Sequence, residues 1–130
     1  MSSIFSKIIA REIPAYVIAE DEHHLAFLDI NPLKKGHTLV IPKVEVDYIY
    51  DLTDDQLSSL HIFAKKVAQA IGKAITCHRI GVTVIGLEVP HAHIHLIPID
   101  DVHDMNFANA KLSFKEDEFQ QIAKQVRDKL

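Results

Sequence analysis

The spacing of apolar residues changes from element to element along the chain, and each change predicts a different structure. Ile4, Phe5 and Ile8 recur at helical steps and predict one or two turns of helix over Ile4–Ala10, limited by Pro14. Two short apolar stretches, Tyr16–Ala19 and Leu25–Leu28, flank the polar turn Glu20-Asp21-Glu22 and read as a hairpin. After the loop Asn31-Pro32 and Lys34-Lys35-Gly36, the run His37–Ile41 predicts a strand stopped by Pro42. Thr53 with Gln56 is a capping-box pattern, and Asp54 and Asp55 suit a first helical turn. Leu57, Leu60, Ala64, Val67, Ile71 and Ala74 then form one apolar stripe, with His61 at its border. Arg79–Ile85 and His91–Ile99 predict two strands, and the short connection Gly86–Pro90 makes them antiparallel neighbours. A polar loop, Asp100–Leu112, leads to a second capping-box match at Ser113 and Glu116. The helix it opens carries Phe119, Ile122, Ala123, Val126 and Leu130 on one face. Strands clustered with helices between and after them predict an α+β fold around one mainly antiparallel sheet.

Length and composition narrow the function classes. At 130 residues the chain is expected to be a single domain with its own core. Lys and Arg number 14 against 18 Asp and Glu, a formal charge of −4 that argues against binding nucleic acid through its phosphates. Cys77 is the only cysteine, which excludes an internal disulfide and any CxxC metal or redox motif. The N-terminus carries Lys7 and Arg11 within its apolar stretch and does not read as a signal peptide. No run approaches the ~18 apolar residues of a membrane span, so a cytoplasmic protein is expected. The departure from an ordinary composition is nine histidines, three of them within five residues.

Those three lie in Val89-Pro90-His91-Ala92-His93-Ile94-His95-Leu96-Ile97-Pro98. Strand side chains alternate faces, so His91, His93 and His95 share one face while Ala92, Ile94 and Leu96 pack on the core. A transition metal is one reading of such a row. At ~3.3 Å per residue, however, the outer two Cα atoms are about 13 Å apart, and neighbours about 6.6 Å apart. All three cannot converge on one ion from a regular strand, although His37 or His103 could supply a ligand from elsewhere. The favoured reading is metal-free. Clustered imidazoles discourage one another's protonation, so a central neutral histidine can attack phosphorus while its neighbours orient it and donate to the phosphoryl oxygens.

His91-Ala92-His93-Ile94-His95-Leu96-Ile97 resembles the His-x-His-x-His-x-x signature of the histidine triad (HIT) nucleotide-binding proteins, and the chain looks closest to their Hint-like branch. The resemblance extends in order from about Ile4 to Pro98. It takes in Ile4–Ile9 with Glu12-Ile13-Pro14, Leu25–Pro32 and Gly36–Lys43. It implies an antiparallel sheet of about five strands with a long helix and a C-terminal helix, in a homodimer. It also implies that His93 attacks the α-phosphate and becomes transiently nucleotidylated, that His91 and His95 orient it and contact phosphate, and that His37 completes the cluster. Asp29 matches the position that binds the ribose hydroxyls. Ile4, Phe5, Ile8, Ile13, Phe27 and Ile30 match the apolar positions around the base. A turn-forming role for Asp29 before Asn31-Pro32, and ordinary core packing for the six apolar residues, are the alternatives read from the residues themselves.

Three departures from the family pattern bear on chemistry. Some members carry a zinc-binding cysteine pair near the N-terminus where this chain has Ser3 and Ser6, so no metal or other cofactor is expected. The segment Thr83–Glu88 is shorter and more apolar than the usual loop, with Leu87 where glutamine is common. Glu88 stands where some members use a small hydroxyl residue beside the leaving group, where a carboxylic acid could assist or, as a carboxylate, repel phosphate. The activity implied is hydrolysis or transfer at the α-phosphate of a purine (AMP-type) nucleotide, first as a purine nucleoside phosphoramidase. The alternatives are a dinucleoside polyphosphate hydrolase and a nucleotide sensor with weak catalysis.

Overall fold

The computed structural model describes residues 2–130. In chain order the elements are helix α1 (Ile4–Ile9), strands β1 (Val17–Glu20), β2 (His24–Leu28) and β3 (Thr38–Pro42), helix α2 (Asp54–Ala74), strands β4 (Arg79–Thr83) and β5 (Ile94–Ile99), and helix α3 (Glu116–Arg127). Single 3-10 turns occupy Ile49–Asp51 and Val102–Met105. The five strands form one sheet in the order β1-β2-β3-β5-β4, with every neighbouring pair antiparallel. The fold is therefore α+β, as the sequence predicts. The long α2 crosses between β3 and β4, and β5 returns to the middle of the sheet beside β3.

Both faces of the sheet are covered, which explains why β2 and β3 are buried along their whole length. On one face, Ala26, Leu28, Val40, Ile94 and Leu96 pack against Leu60, Phe63, Ala64, Val67 and Ile71 of α2 and Phe119, Ile122, Ala123 and Val126 of α3. On the other, Leu25, Phe27, Leu39 and Ile41 meet Phe5 and Ile8 of α1. The capping box of α2 forms as its sequence specifies: Thr53 Oγ1 accepts the Gln56 N–H at 3.1 Å, and Gln56 Oε1 accepts the Thr53 N–H at 2.9 Å.

Four expectations are corrected. The histidine strand begins at Ile94, not His91, because the ladder with β3 ends where Val40 faces Ile94. Likewise β4 stops at Thr83, and residues 84–93 run as an irregular loop. Ser113 does not open the last helix: α3 starts at Glu116, where Glu118 reaches back to the Lys115 N–H at 2.8 Å. Leu130 lies beyond α3 and is 60% exposed rather than packed.

Candidate active site

A cavity of about 410 Å³ opens between α1, the ends of β2 and β3, and the loop that precedes β5. Ile4, Phe5, Ile8, Ile13, Phe27 and Ile30 line it, and so do Asp29, Glu88, His93 and His95. Ten of the twelve residues expected at the site thus share one cavity. Ile30 is 63% exposed and Ile4 49% exposed at its rim, apolar surface that the core does not use. His37 and His91 do not line the cavity. Both are essentially fully buried behind it.

Hydrogen-bond partners determine the tautomer of each histidine, because a backbone carbonyl can only accept and a backbone N–H can only donate. His93 Nδ1 donates to the His91 carbonyl at 2.7 Å, which leaves the lone pair on Nε2. His91 Nε2 donates to the Pro42 carbonyl at 2.8 Å, so its Nδ1 accepts the Ser3 hydroxyl, also at 2.8 Å. His37 Nδ1 accepts the Leu33 N–H at 3.0 Å. Its Nε2–H therefore donates to His95 Nδ1 at 3.0 Å, and the remaining proton of His95 sits on Nε2. The cavity wall then carries an unprotonated His93 nitrogen next to a His95 N–H donor, their rings 5.0 Å apart. Phe5 meets the His93 ring edge-on at 5.0 Å.

Burial keeps His37, His91 and His95 neutral. Desolvation, aided by the charge of Lys111, pushes His37 down to about 4. Desolvation, with the His37 and His93 rings adding to it, brings His95 to about 4. His91 is lowered as well, again chiefly by burial. None of the three carries a proton charge at neutral pH.

The expectation that His91 contacts phosphate is corrected: both of its ring nitrogens are engaged inside the protein, away from the cavity. The His91 group that meets His93 is the backbone carbonyl, which accepts the His93 Nδ1–H. Asp29 combines two roles. Its Oδ1 accepts the Asn31 N–H at 2.8 Å, the turn-forming bond, while Oδ2 stands 3.6 Å from His37 Nε2 in a side chain that lines the cavity. Sequence reasoning missed Phe107, which packs edge-on over His95 at 4.9 Å and closes one side of the cavity. The signal was a lone aromatic residue within the polar loop Asp100–Leu112.

Asp29, His37 and His95 offer ligand atoms that all lie within 4.8 Å of one another, the best candidate for holding a metal among the described residues. The shared proton between His37 and His95 already satisfies both nitrogens. His103 lies exposed in the Val102–Met105 turn and does not join this group. Ser3 and Ser6 present hydroxyls to His91 Nδ1, at 2.8 and 3.5 Å, where a cysteine pair would present thiolates.

The HIT domain family model matches residues 10–102. The chain belongs to the HIT family. An uncharacterised HIT-like protein of Methanocaldococcus jannaschii is 46% identical over 99 residues, covering 73% of this chain and 77% of that protein. The adenosine 5'-monophosphoramidase hnt1 of Schizosaccharomyces pombe is 39% identical over 99 residues, 75% of this chain and 74% of the yeast protein. Among solved structures, a HIT-like protein involved in cell-cycle regulation from Bartonella henselae superposes with a TM-score of 0.87 at 30% identity. The match covers 99% of this chain and 96% of that one. The relative from Saccharomyces cerevisiae, 39% identical over 100 residues, is likewise named an adenosine 5'-monophosphoramidase. No helix among the described residues is long and apolar enough to cross a membrane.

Proposed function

We propose that this HIT protein cleaves adenosine 5′-phosphoramidates at the α-phosphorus through a nucleotidyl intermediate on His93. The observation that carries the reading is the forced tautomer of His93, whose lone-pair nitrogen belongs to a ring lining the cavity. Ile4, Phe5, Ile8, Ile13, Phe27 and Ile30 form the apolar compartment for a flat base, and the Asp29 carboxylate can accept two ribose hydroxyls. His93 Nε2 attacks phosphorus as the P–N bond to the amine breaks, and the His95 Nε2–H donates to a phosphoryl oxygen. The departing amine leaves with a proton, for which we assign Glu88, a carboxyl group in the cavity wall. Water then displaces His93 from phosphorus and its released proton returns to the Glu88 carboxylate, giving AMP and restoring the free imidazole.

No Lys or Arg lines the cavity among the described residues, whereas Asp29 and Glu88 do. With no cation in the wall, the extra phosphates of a dinucleoside polyphosphate would have no partner there, which makes phosphoramidate, with its amine leaving group, the first substrate class. The test is intact-mass spectrometry of wild type and His93→Ala mixed with an adenosine 5′-phosphoramidate and quenched under mildly alkaline conditions. AMP release with a transient adduct on wild type alone is the expected result. Tight AMP binding with neither adduct nor product would replace this reading with a nucleotide sensor. A homodimer is part of the proposal: β4 is an edge strand with Val82 more than half exposed, and light scattering at micromolar concentration should give twice the chain mass.

A further inference from the structure

The residue proposed as nucleophile has no rung of the sheet to hold it. Pairing between β3 and β5 ends at Val40 opposite Ile94, so His91, Ala92 and His93 lie just outside the ladder. Their position depends instead on the last residue of β3 and the chain that follows it. The Pro42 carbonyl accepts His91 Nε2–H at 2.8 Å, and the Val46 carbonyl accepts the Ala92 N–H at 2.6 Å. Between these two anchors lies Glu45, an exposed side chain that forms no ion pair among the described residues.

Glu45 is nevertheless closely engaged. Its Oε1 accepts the Ser3 N–H at 2.5 Å and the Ser6 hydroxyl at 2.7 Å. Those donors, the Ser3 N–H foremost, hold its carboxyl down at about 2, so it is a carboxylate throughout the working range. Ser3 Oγ in turn accepts the Ser6 N–H at 3.0 Å, capping α1, and donates to His91 Nδ1 at 2.8 Å. One carboxylate thus ties together the first turn of α1 and, through a single hydroxyl, the ring of His91.

We propose that Glu45 is a positioning residue: with Ser3 and Ser6 it clamps α1 against His91, and so keeps the apolar compartment and the His93 nucleophile in register. Both sides of that register matter to a nucleotide. Helix α1 supplies Ile4, Phe5 and Ile8 to the compartment, and the His91 carbonyl sets the direction of the His93 lone pair. The helix is only six residues long, too short to hold its shape alone, so its seat depends on Phe5, Ile8 and this clamp. A misplacement of ~1 Å between reacting groups can cost on the order of 100-fold in rate.

The experiment compares Glu45→Ala, Glu45→Gln and Ser3→Ala with wild type by two readouts. Imidazole nitrogen NMR reports the His91 tautomer without any need for turnover. Steady-state kinetics with an adenosine 5′-phosphoramidate report kcat and KM, and only this second arm rests on the function proposed above. In wild type, His91 should show a protonated Nε2 and an unprotonated Nδ1. Glu45→Ala and Ser3→Ala leave Nε2 on the Pro42 carbonyl but should shift the Nδ1 resonance toward that of a lone pair with no donor, and lower kcat about tenfold, with KM raised as α1 loosens. Glu45→Gln keeps a carbonyl acceptor and should return to within about threefold of wild type.

A contact that only stabilises the fold would lower the melting temperature and leave kcat per folded molecule unchanged. That result, or an unchanged His91 Nδ1 resonance in folded Glu45→Ala, overturns the proposal. So does a Glu45→Gln variant as impaired as Glu45→Ala. If wild type itself gives no turnover, the phosphoramidase reading fails and the NMR arm alone decides the clamp.

Discussion

Backbone groups determine the tautomers of His93, His91 and His37, and His37 in turn determines that of His95, which makes single substitutions informative. His93 donates to a carbonyl and keeps a free nitrogen, so His93→Ala should remove the adduct and cost at least ~10³-fold in turnover. A residue that merely bound phosphate would leave most of the rate. Asp29 separates by atom: Oδ1 makes the turn with the Asn31 N–H, and the rest of the carboxylate is free for a ligand. Asp29→Asn keeps a carbonyl for the turn and loses half of its acceptor capacity toward ribose. Its melting temperature should match wild type while KM rises about tenfold. Equal KM in Asp29→Asn and wild type, measured on the same phosphoramidate, would reduce Asp29 to a turn residue.

At the scale of elements, His37 reaches His95 because the loop before β3 makes one sharp turn. Gly36 sits at φ +91°, and a Cβ there would lie 3.1 Å from Ile75 Cγ1 and 3.4 Å from Pro98 Cγ. Gly36→Ala should cost about 1–3 kcal/mol of stability, read by denaturant unfolding. It should also lower turnover, since the strain falls on the residue next to His37. Thr53→Ala is the contrasting case. It removes the capping box of α2, which lies outside the cavity lining, and should cost about 1 kcal/mol with kcat unchanged. A Gly36→Ala enzyme with wild-type kcat per folded molecule would show that His37 does not need this turn.

For the whole molecule, burying neutral histidines makes stability depend on acidity. His37 and His95 titrate near 4 in the folded protein, below the ordinary value of 6.5, so the unfolded chain binds more protons between those limits. Stability therefore rises with pH across that window and is lost as pH falls from 6.5 toward 4. Lowered His91 adds in the same direction. Thermal midpoints should be flat above about pH 7 and fall steadily below 6. Carboxylates with lowered values, Glu20 and Asp21 among them, act in the same direction, but lose their contribution only at more acid pH. Replacing both His37 and His95 by Gln should flatten the profile, and an unchanged slope would place the proton uptake elsewhere.

Much of this protein is written locally. The capping box at Thr53 and Gln56, the stripe along α2 and the alternation of Ala92, Ile94 and Leu96 with the histidines depend on near neighbours, and the structure reproduces them. The family signature is local too, a run of seven residues. What sequence could not supply is pairing across distance. The ladder between β3 and β5 ends at Val40 opposite Ile94, and this puts His91 and His93 in a hydrogen-bonded loop instead of a strand. The return of β5 to the side of β3 brings His95 opposite Leu39, within reach of His37 fifty-eight residues away. No sequence pattern says that His91 turns inward to Ser3 and Pro42 while His93 and His95 face the cavity. Side-chain periodicity specifies which face a residue shares; only the packing of α1 and the β3–α2 loop against that face decides which imidazole meets ligand and which is enclosed by protein.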